Sequence, residues 1–170
     1  MMIALSGTPG TGKSVIADAL EKKGIFVIRA TNTVGSYRLG PDPDRDTDII
    51  DDEKWVQEFL PIDGVVEGHL SHLLPADRII ILRCRPDILR ERLLKRGYSK
   101  DKVAENVEAE LLDIILAEAA EIHGLEKIYE IDTTEKEIIF VTGIVEDVIR
   151  GTASPSSGTV DWLSACGDML

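Results

Sequence analysis

Gly7-Thr8-Pro9-Gly10-Thr11-Gly12-Lys13-Ser14 satisfies the pattern G-x-x-x-x-G-K-[ST] in full, and the segments on either side of it decide the fold. Its glycines let the backbone wrap an anion with successive N–H groups pointing inward. A helix directly behind it adds the partial positive charge of its N-terminus. Lys13 can then reach the β- and γ-phosphates of a nucleotide, and the Ser14 hydroxyl can hold Mg²⁺. The flanks fit. Met2-Ile3-Ala4-Leu5 is a short apolar run that suits a buried strand. From Lys13 to Lys23, Val15, Ile16, Ala19 and Leu20 share one face, which predicts a helix ended by Gly24.

Further out the alternation continues. Ile25 to Ile28, Gly64 to Glu67, Arg78 to Arg83 and Ile128 to Ile131 are four more strand candidates. Helices are expected over Asp51–Leu60, with Trp55, Val56 and Phe59 as the apolar stripe, and over Pro86–Arg96, opened by a proline at its first position. One long helix is expected over Asp101–His123, from the spacing of Val103, Val107, Leu111, Ile114 and Ile115, and a last one over Glu135–Ile149. Strands alternating with helices imply an α/β fold, a three-layer P-loop NTPase with a parallel five-stranded sheet and helices on both faces. Residues 31–48, polar and rich in Gly, Pro and Asp, read as a mobile surface segment. Residues 151–159 read as a linker, and Val160-Asp161-Trp162-Leu163 as an apolar knot that docks on the body or on a partner. The organisation is then one domain over 1–150 and a linker with C-terminal tail over 151–170.

The 170 residues fit one domain, and 44% apolar with 29% charged residues excludes disordered and collagen-like chains. With 31 acidic against 19 basic residues, the net charge is −12. Direct nucleic-acid binding is not expected from such a balance, whereas a basic partner protein is. Cys84 and Cys166 read as free thiols in a reducing compartment. No apolar stretch approaches the roughly 18 residues that span a bilayer, and MMIALSG lacks the pattern of a secretory signal. A cytoplasmic chain is expected, with no membrane partner.

The chain has neither the D-x-x-G nor the N-K-x-D of guanine-binding switches. A phosphate-loop kinase needs instead a metal-positioning carboxylate, a second substrate site and mobile cations. Glu67 ends the third strand, where open α/β sheets place ligands, and could orient Mg²⁺ through water. His69 follows on the same side. His72 reads as a surface or loop residue and His123 as a C-terminal helix cap. Eight of the nineteen cations fall between Arg83 and Lys102. Among them Arg92 and Arg96 share a helix face, and Arg96 precedes Gly97 at an expected hinge.

Together, Gly7–Ser14, VVEGHLSH (65–72) and RERLLKRGYSKDKVAENVEAE (90–110) resemble the adenylate kinase isoenzyme 6 family, also called coilin-interacting nuclear ATPases. The resemblance covers about residues 2–150 and implies a nucleoside monophosphate kinase-like fold. It implies transfer of phosphate from ATP to AMP with Mg²⁺, an added ATPase activity, and a role in late small-subunit ribosome maturation through a uS11-type ribosomal protein. Gly10, Gly12, Lys13, Ser14 and Val15 would contact ATP. Residues of about 29–50 would bind the monophosphate and about 95–105 would form a short lid, with Arg96 touching ATP. Glu67-Gly68-His69 matches the family's acidic-x-His motif, with Glu67 where relatives often have Asp. Where relatives carry an arginine-bearing run this chain has Ala30-Thr31-Asn32-Thr33, leaving Arg29, Arg38 and Arg45 as alternatives. The lid is too short for a zinc-binding version. Two other readings stand beside the AMP kinase: a nucleotide-gated assembly ATPase with incidental kinase activity, and a kinase for another small acceptor.

Overall fold

The computed structural model describes residues 1–42 and 48–169. Five parallel strands form the main sheet: β1 (Met2–Ser6), β2 (Val27–Arg29), β5 (Gly64–Glu67), β6 (Arg78–Arg83) and β7 (Ile128–Asp132). Their order across the sheet is β2-β5-β1-β6-β7. Alternate residues of the central strand feed opposite layers, as the two-residue period of a strand requires. Ile3 and Leu5 join Ile16, Leu20, Val141 and Val145 on one side, whereas Met2 and Ala4 join Trp55, Ile79, Ile81 and Ala119 on the other. The first layer is carried by α1 (Lys13–Lys22) and α6 (Ile138–Arg150), the second by α2 (Asp52–Glu58) and α5 (Ile114–His123). A third cluster of Cys84, Leu89, Leu93, Val103 and Val107 joins α3 (Pro86–Lys95) to α4 (Lys100–Leu111) beside the C-terminal strand ends.

Three expectations change. The long helix over 101–123 is two helices, broken at Leu112-Asp113, where Asp113 takes φ 55°. Its carboxylate pairs with the buried Arg83 guanidinium, and that tertiary pull interrupts an apolar periodicity that runs on unbroken in the sequence. Residues 31–48 are not simply irregular. Short turns at Ala30–Asn32 and Gly35–Tyr37 lead into β3 (Arg38–Pro41), which pairs antiparallel with β4 (Asp48–Ile50). Trp55 Nε1 donates to Thr33 Oγ1 at 2.9 Å and pins this segment to α2. Finally, part of 151–159 lies on the edge of the sheet. Glu130 N donates to Ser156 O at 2.8 Å and Ser156 N to Ile128 O at 2.9 Å, adding a parallel bridge to β7. Behind it α7 (Trp162–Cys166) packs near α4. Among the described residues no helix is long and apolar enough to cross a membrane.

Candidate functional site

The loop between β1 and α1 lies at the C-terminal edge of the sheet, where β5 and β6 also end. Gly7 opens it at φ 141°, and a Cβ there would stand 2.4 Å from Leu82 O, so only glycine fits. Helix α1 begins at Gly12 without a side-chain cap. Its first N–H groups therefore face the loop's concavity, as an anion-binding terminus requires. Lys13 is buried, and its Nζ donates to Gly7 O at 2.6 Å and Thr8 O at 3.0 Å. Burial lowers its pKa to about 8, partly opposed by the Glu67 and Glu110 carboxylates.

One cavity of about 390 Å³ is lined by Pro9, Gly10, Gly12, Lys13, Ser14, Arg29, Thr31, Glu67, Gly68, His69, Arg96 and Tyr98. Within it Ser14 Oγ donates to Glu67 Oε1 at 3.3 Å. Burial among the cavity walls and the charge of Lys13 lower the His69 pKa to about 4, although its ring keeps solvent contact. Arg29 sits at the opposite wall. Its Nη2 donates to Asp18 Oδ1 at 2.5 Å and Glu21 Oε2 at 2.7 Å, both on α1. Its Nη1 lies 3.7 Å from Glu67 Oε2, buried and without a hydrogen-bond partner. Arg38 instead pairs with Asp48 in the small sheet, outside the cavity's lining, and Arg45 lies outside the described residues.

A second cavity, of about 180 Å³, lies on the other side of the loop. Gly10, Gly12 and Arg96 line both. Val15, Ile138 and Val141 give it an apolar wall, and Arg92, Thr133 and Lys136 a polar one. Arg92 Nη1 donates to Gly10 O at 3.3 Å, so that guanidinium is tied to the loop itself. The sequence candidates Gly10, Gly12, Lys13, Ser14, Val15, Glu67, His69, Arg92 and Arg96 thus all line one cavity or the other.

Two histidines stand differently from expectation. His72 is 1% exposed, with Nδ1 3.0 Å from Ser6 Oγ and Nε2 2.9 Å from Glu118 Oε2, a core residue rather than a surface one. Burial lowers its pKa, and Glu118 opposes the shift. His123 ends α5, but its Nε2 donates to His72 O at 2.6 Å rather than to its own helix. Cys84 and Cys166 are free, and burial pushes the Cys84 thiol up to about 11.

The sequence reading missed Thr8 and Glu110. Glu110 falls on the apolar stripe of α4 beside Val103, Val107 and Leu111, and all four are buried. A carboxylate at such a position signals a partnered interior charge. Its Oε2 accepts from Thr8 Oγ1 at 2.5 Å.

Comparison with known proteins bears on this geometry. The AAA domain family matches residues 3–113. A protein of Archaeoglobus fulgidus named "Putative adenylate kinase" is 44% identical over 174 residues, covering 100% of this chain and 96% of its own. One of the same name from Natronomonas pharaonis is 45% identical over 166 residues, covering 95% and 98%. Among solved structures, deoxyadenosine kinase from M. mycoides superposes with a TM-score of 0.58 at 14% identity, over 90% of this chain and 100% of that one. Shikimate kinase from Acinetobacter baumannii gives 0.60 at 11% identity, over 89% and 93%. These two likenesses concern the fold.

Proposed function

The chain belongs to the AAA domain family and to the family of archaeal proteins named "putative adenylate kinase", and from that premise we propose that it transfers the γ-phosphoryl group of ATP to a nucleoside monophosphate, chiefly AMP. The observation that carries the reading is the pair of cavities flanking one phosphate loop, with Arg96 common to both. The smaller, with its apolar wall of Val15, Ile138 and Val141, suits the base of the donor. The larger suits the acceptor.

In this reading an oxygen of the acceptor phosphate attacks the γ-phosphorus, the bond to the β–γ bridging oxygen breaks, and two diphosphates leave. Lys13 exchanges the Gly7 and Thr8 carbonyls for the β- and γ-phosphates, and inward N–H groups of the loop hold the remaining charge. Arg96, exposed on the segment after α3, closes over the transferring group. Arg29 is fixed at one edge by Asp18 and Glu21 and turns its unpartnered Nη1 into the acceptor side. His69 stays neutral and serves as a hydrogen-bonding wall.

Ser14 Oγ and Glu67 Oε1 are hard oxygen donors 3.3 Å apart, the chemistry Mg²⁺ favours. Among the described residues no group of three or more His, Cys, Asp or Glu could hold a metal alone, so the ion enters with the nucleotide, Ser14 binding directly and Glu67 through water. When bound, Mg²⁺ neutralises phosphate charge in the transition state.

A coupled assay with ATP and each of several monophosphates tests the proposal. AMP should give the highest turnover, and Arg29→Ala should raise the KM for the monophosphate more than that for ATP. Equal turnover with every acceptor, or none with any, would refute it. The resemblance extends the proposal to ATP hydrolysis and to a uS11-type ribosomal protein. What supports a basic partner here is the net charge of −12, with Asp42, Asp48, Asp51, Asp52 and Glu53 in one described stretch and Asp44 and Asp46 outside the described residues. ADP production without AMP, measured with and without the purified partner, separates assembly ATPase from kinase. Its association should slow as salt rises from about 0.05 to 0.5 M, because screening shortens the reach of the field.

A further inference from the structure

Residues 156–162 are fastened at three places, and two of them lead to the same buried arginine. Ser156 pairs with β7. Glu130 Oε2 then accepts from Thr159 N at 2.7 Å, Thr159 Oγ1 at 3.0 Å and Val160 N at 3.3 Å, while its Oε1 accepts from Arg83 Nη1 at 2.5 Å. Further on, Trp162 Nε1 donates to Glu110 Oε1 at 3.2 Å. That same oxygen accepts from Arg83 Nε at 2.9 Å and Cys84 N at 3.0 Å. Arg83 and Glu110 are each 2% exposed.

The other oxygen of Glu110 belongs to the phosphate loop, through Thr8 Oγ1. Thr8 is also one of the two residues whose carbonyl holds Lys13 Nζ, and its carbonyl further accepts from Thr11 Oγ1 at 2.9 Å. An unbroken run of hydrogen bonds therefore leads from the Lys13 amine through Thr8 and Glu110 to the Trp162 indole. No link in it is a solvated surface pair. In so dry a setting a carboxylate shared by four donors redistributes its interaction among them when one donor moves.

We propose that Glu110 is a positioning residue for the phosphate loop and that the C-terminal tail shares it through Trp162, so that tail docking and the loop's grip on nucleotide are one coupled equilibrium. The inference rests on the reading of this loop as an ATP site. When Lys13 transfers from the Thr8 carbonyl to a phosphate, Thr8 keeps its second hold on Glu110, and the geometry of that hold is set partly by the indole. Coupling of this kind is reciprocal: a docked tail favours ATP by the factor with which ATP favours the docked tail. The acceptor cavity lies on the other side of the loop and has no tail residue in its lining.

Trp162→Phe keeps the ring and removes only the N–H donor. By calorimetry it should raise the Kd for Mg-ATP by about 5-fold, the low end of measured site-to-site couplings, with the KM for AMP unchanged. Glu110→Gln should weaken ATP similarly, and should it fail to fold, Trp162→Phe stands by itself. The chain has two tryptophans, so in Trp55→Phe protein the emission of Trp162 reports directly and should change as Mg-ATP saturates. Normal ATP affinity in Trp162→Phe, together with unaltered Trp162 emission under saturating ATP, would overturn the proposal. A wild-type protein that gives no binding heat with Mg-ATP would overturn the ATP-site reading itself, and this inference with it.

Discussion

Lys13 Nζ lies 2.6 Å from the carbonyl oxygen of Gly7, so the cation of the phosphate loop is held by the loop's own backbone. Burial lowers its pKa to about 8 from 10.5. Between those values the unfolded chain binds more protons than the folded one, and the folded state gains stability from this group as pH rises through that window. Phosphate charge restores the ordinary pKa. At about pH 9, Mg-ATP binding should therefore take up a proton, and affinity should fall as pH rises above about 8. Calorimetry in two buffers of different ionisation enthalpy counts that proton, and zero uptake would show that Lys13 remains charged without nucleotide.

Lys13→Ala should leave the chain folded and reduce phosphoryl transfer by on the order of 10²–10³, the usual loss when one preorganised transition-state charge is removed. Circular dichroism and steady-state turnover check the two halves. Activity within a few-fold of wild type would be incompatible with a phosphate role for this loop.

Arg96→Ala should slow ATP turnover and leave the melting temperature nearly unchanged. The residue is exposed, and exposed charges contribute roughly 0–1 kcal/mol to folding. A variant that melts early but turns over normally would make Arg96 a structural residue.

Gly10→Ala should fail by packing. Gly10 has φ 95°, and its Cβ would stand 2.7 Å from Leu89 Cδ1 and 3.2 Å from Leu93 Cδ2. Strain and overpacking together should cost about 1–3 kcal/mol, read from the urea midpoint. They should also displace α3, which carries Arg92, and so depress turnover. Wild-type stability would mean that the contact between loop and α3 is loose.

Much of the site was legible because its parts follow one another along the chain. The spacing of Gly7, Gly12, Lys13 and Ser14 is a property of one loop and the first turn of one helix, and local backbone geometry carries it. Glu67 and His69 could be placed because a strand that ends in polar residues exposes them at the C-terminal edge of a parallel sheet. Arg29 stood level with Arg38 and Arg45. Its selection depends on Asp18 and Glu21 of α1 holding one side of the guanidinium, and no spacing rule relates residue 29 to those two.

The misread segments share a cause. His72 looked like a loop residue because its partners Ser6 and Glu118 are 66 and 46 residues away. The helix break at Asp113 answers to Arg83, thirty residues earlier, while the local apolar period argued for continuity. Apolar periodicity and glycine placement act within a few residues and determined by themselves the α/β order, the five strands and the phosphate loop. The buried charges Arg83, Glu110 and Glu130 could be located only by the tertiary structure. Removing a charge from water is costly unless opposite charges and donors meet it, and in this chain those partners come from β6, β7, α4, the phosphate loop and the C-terminal tail, brought together only when the sheet is complete.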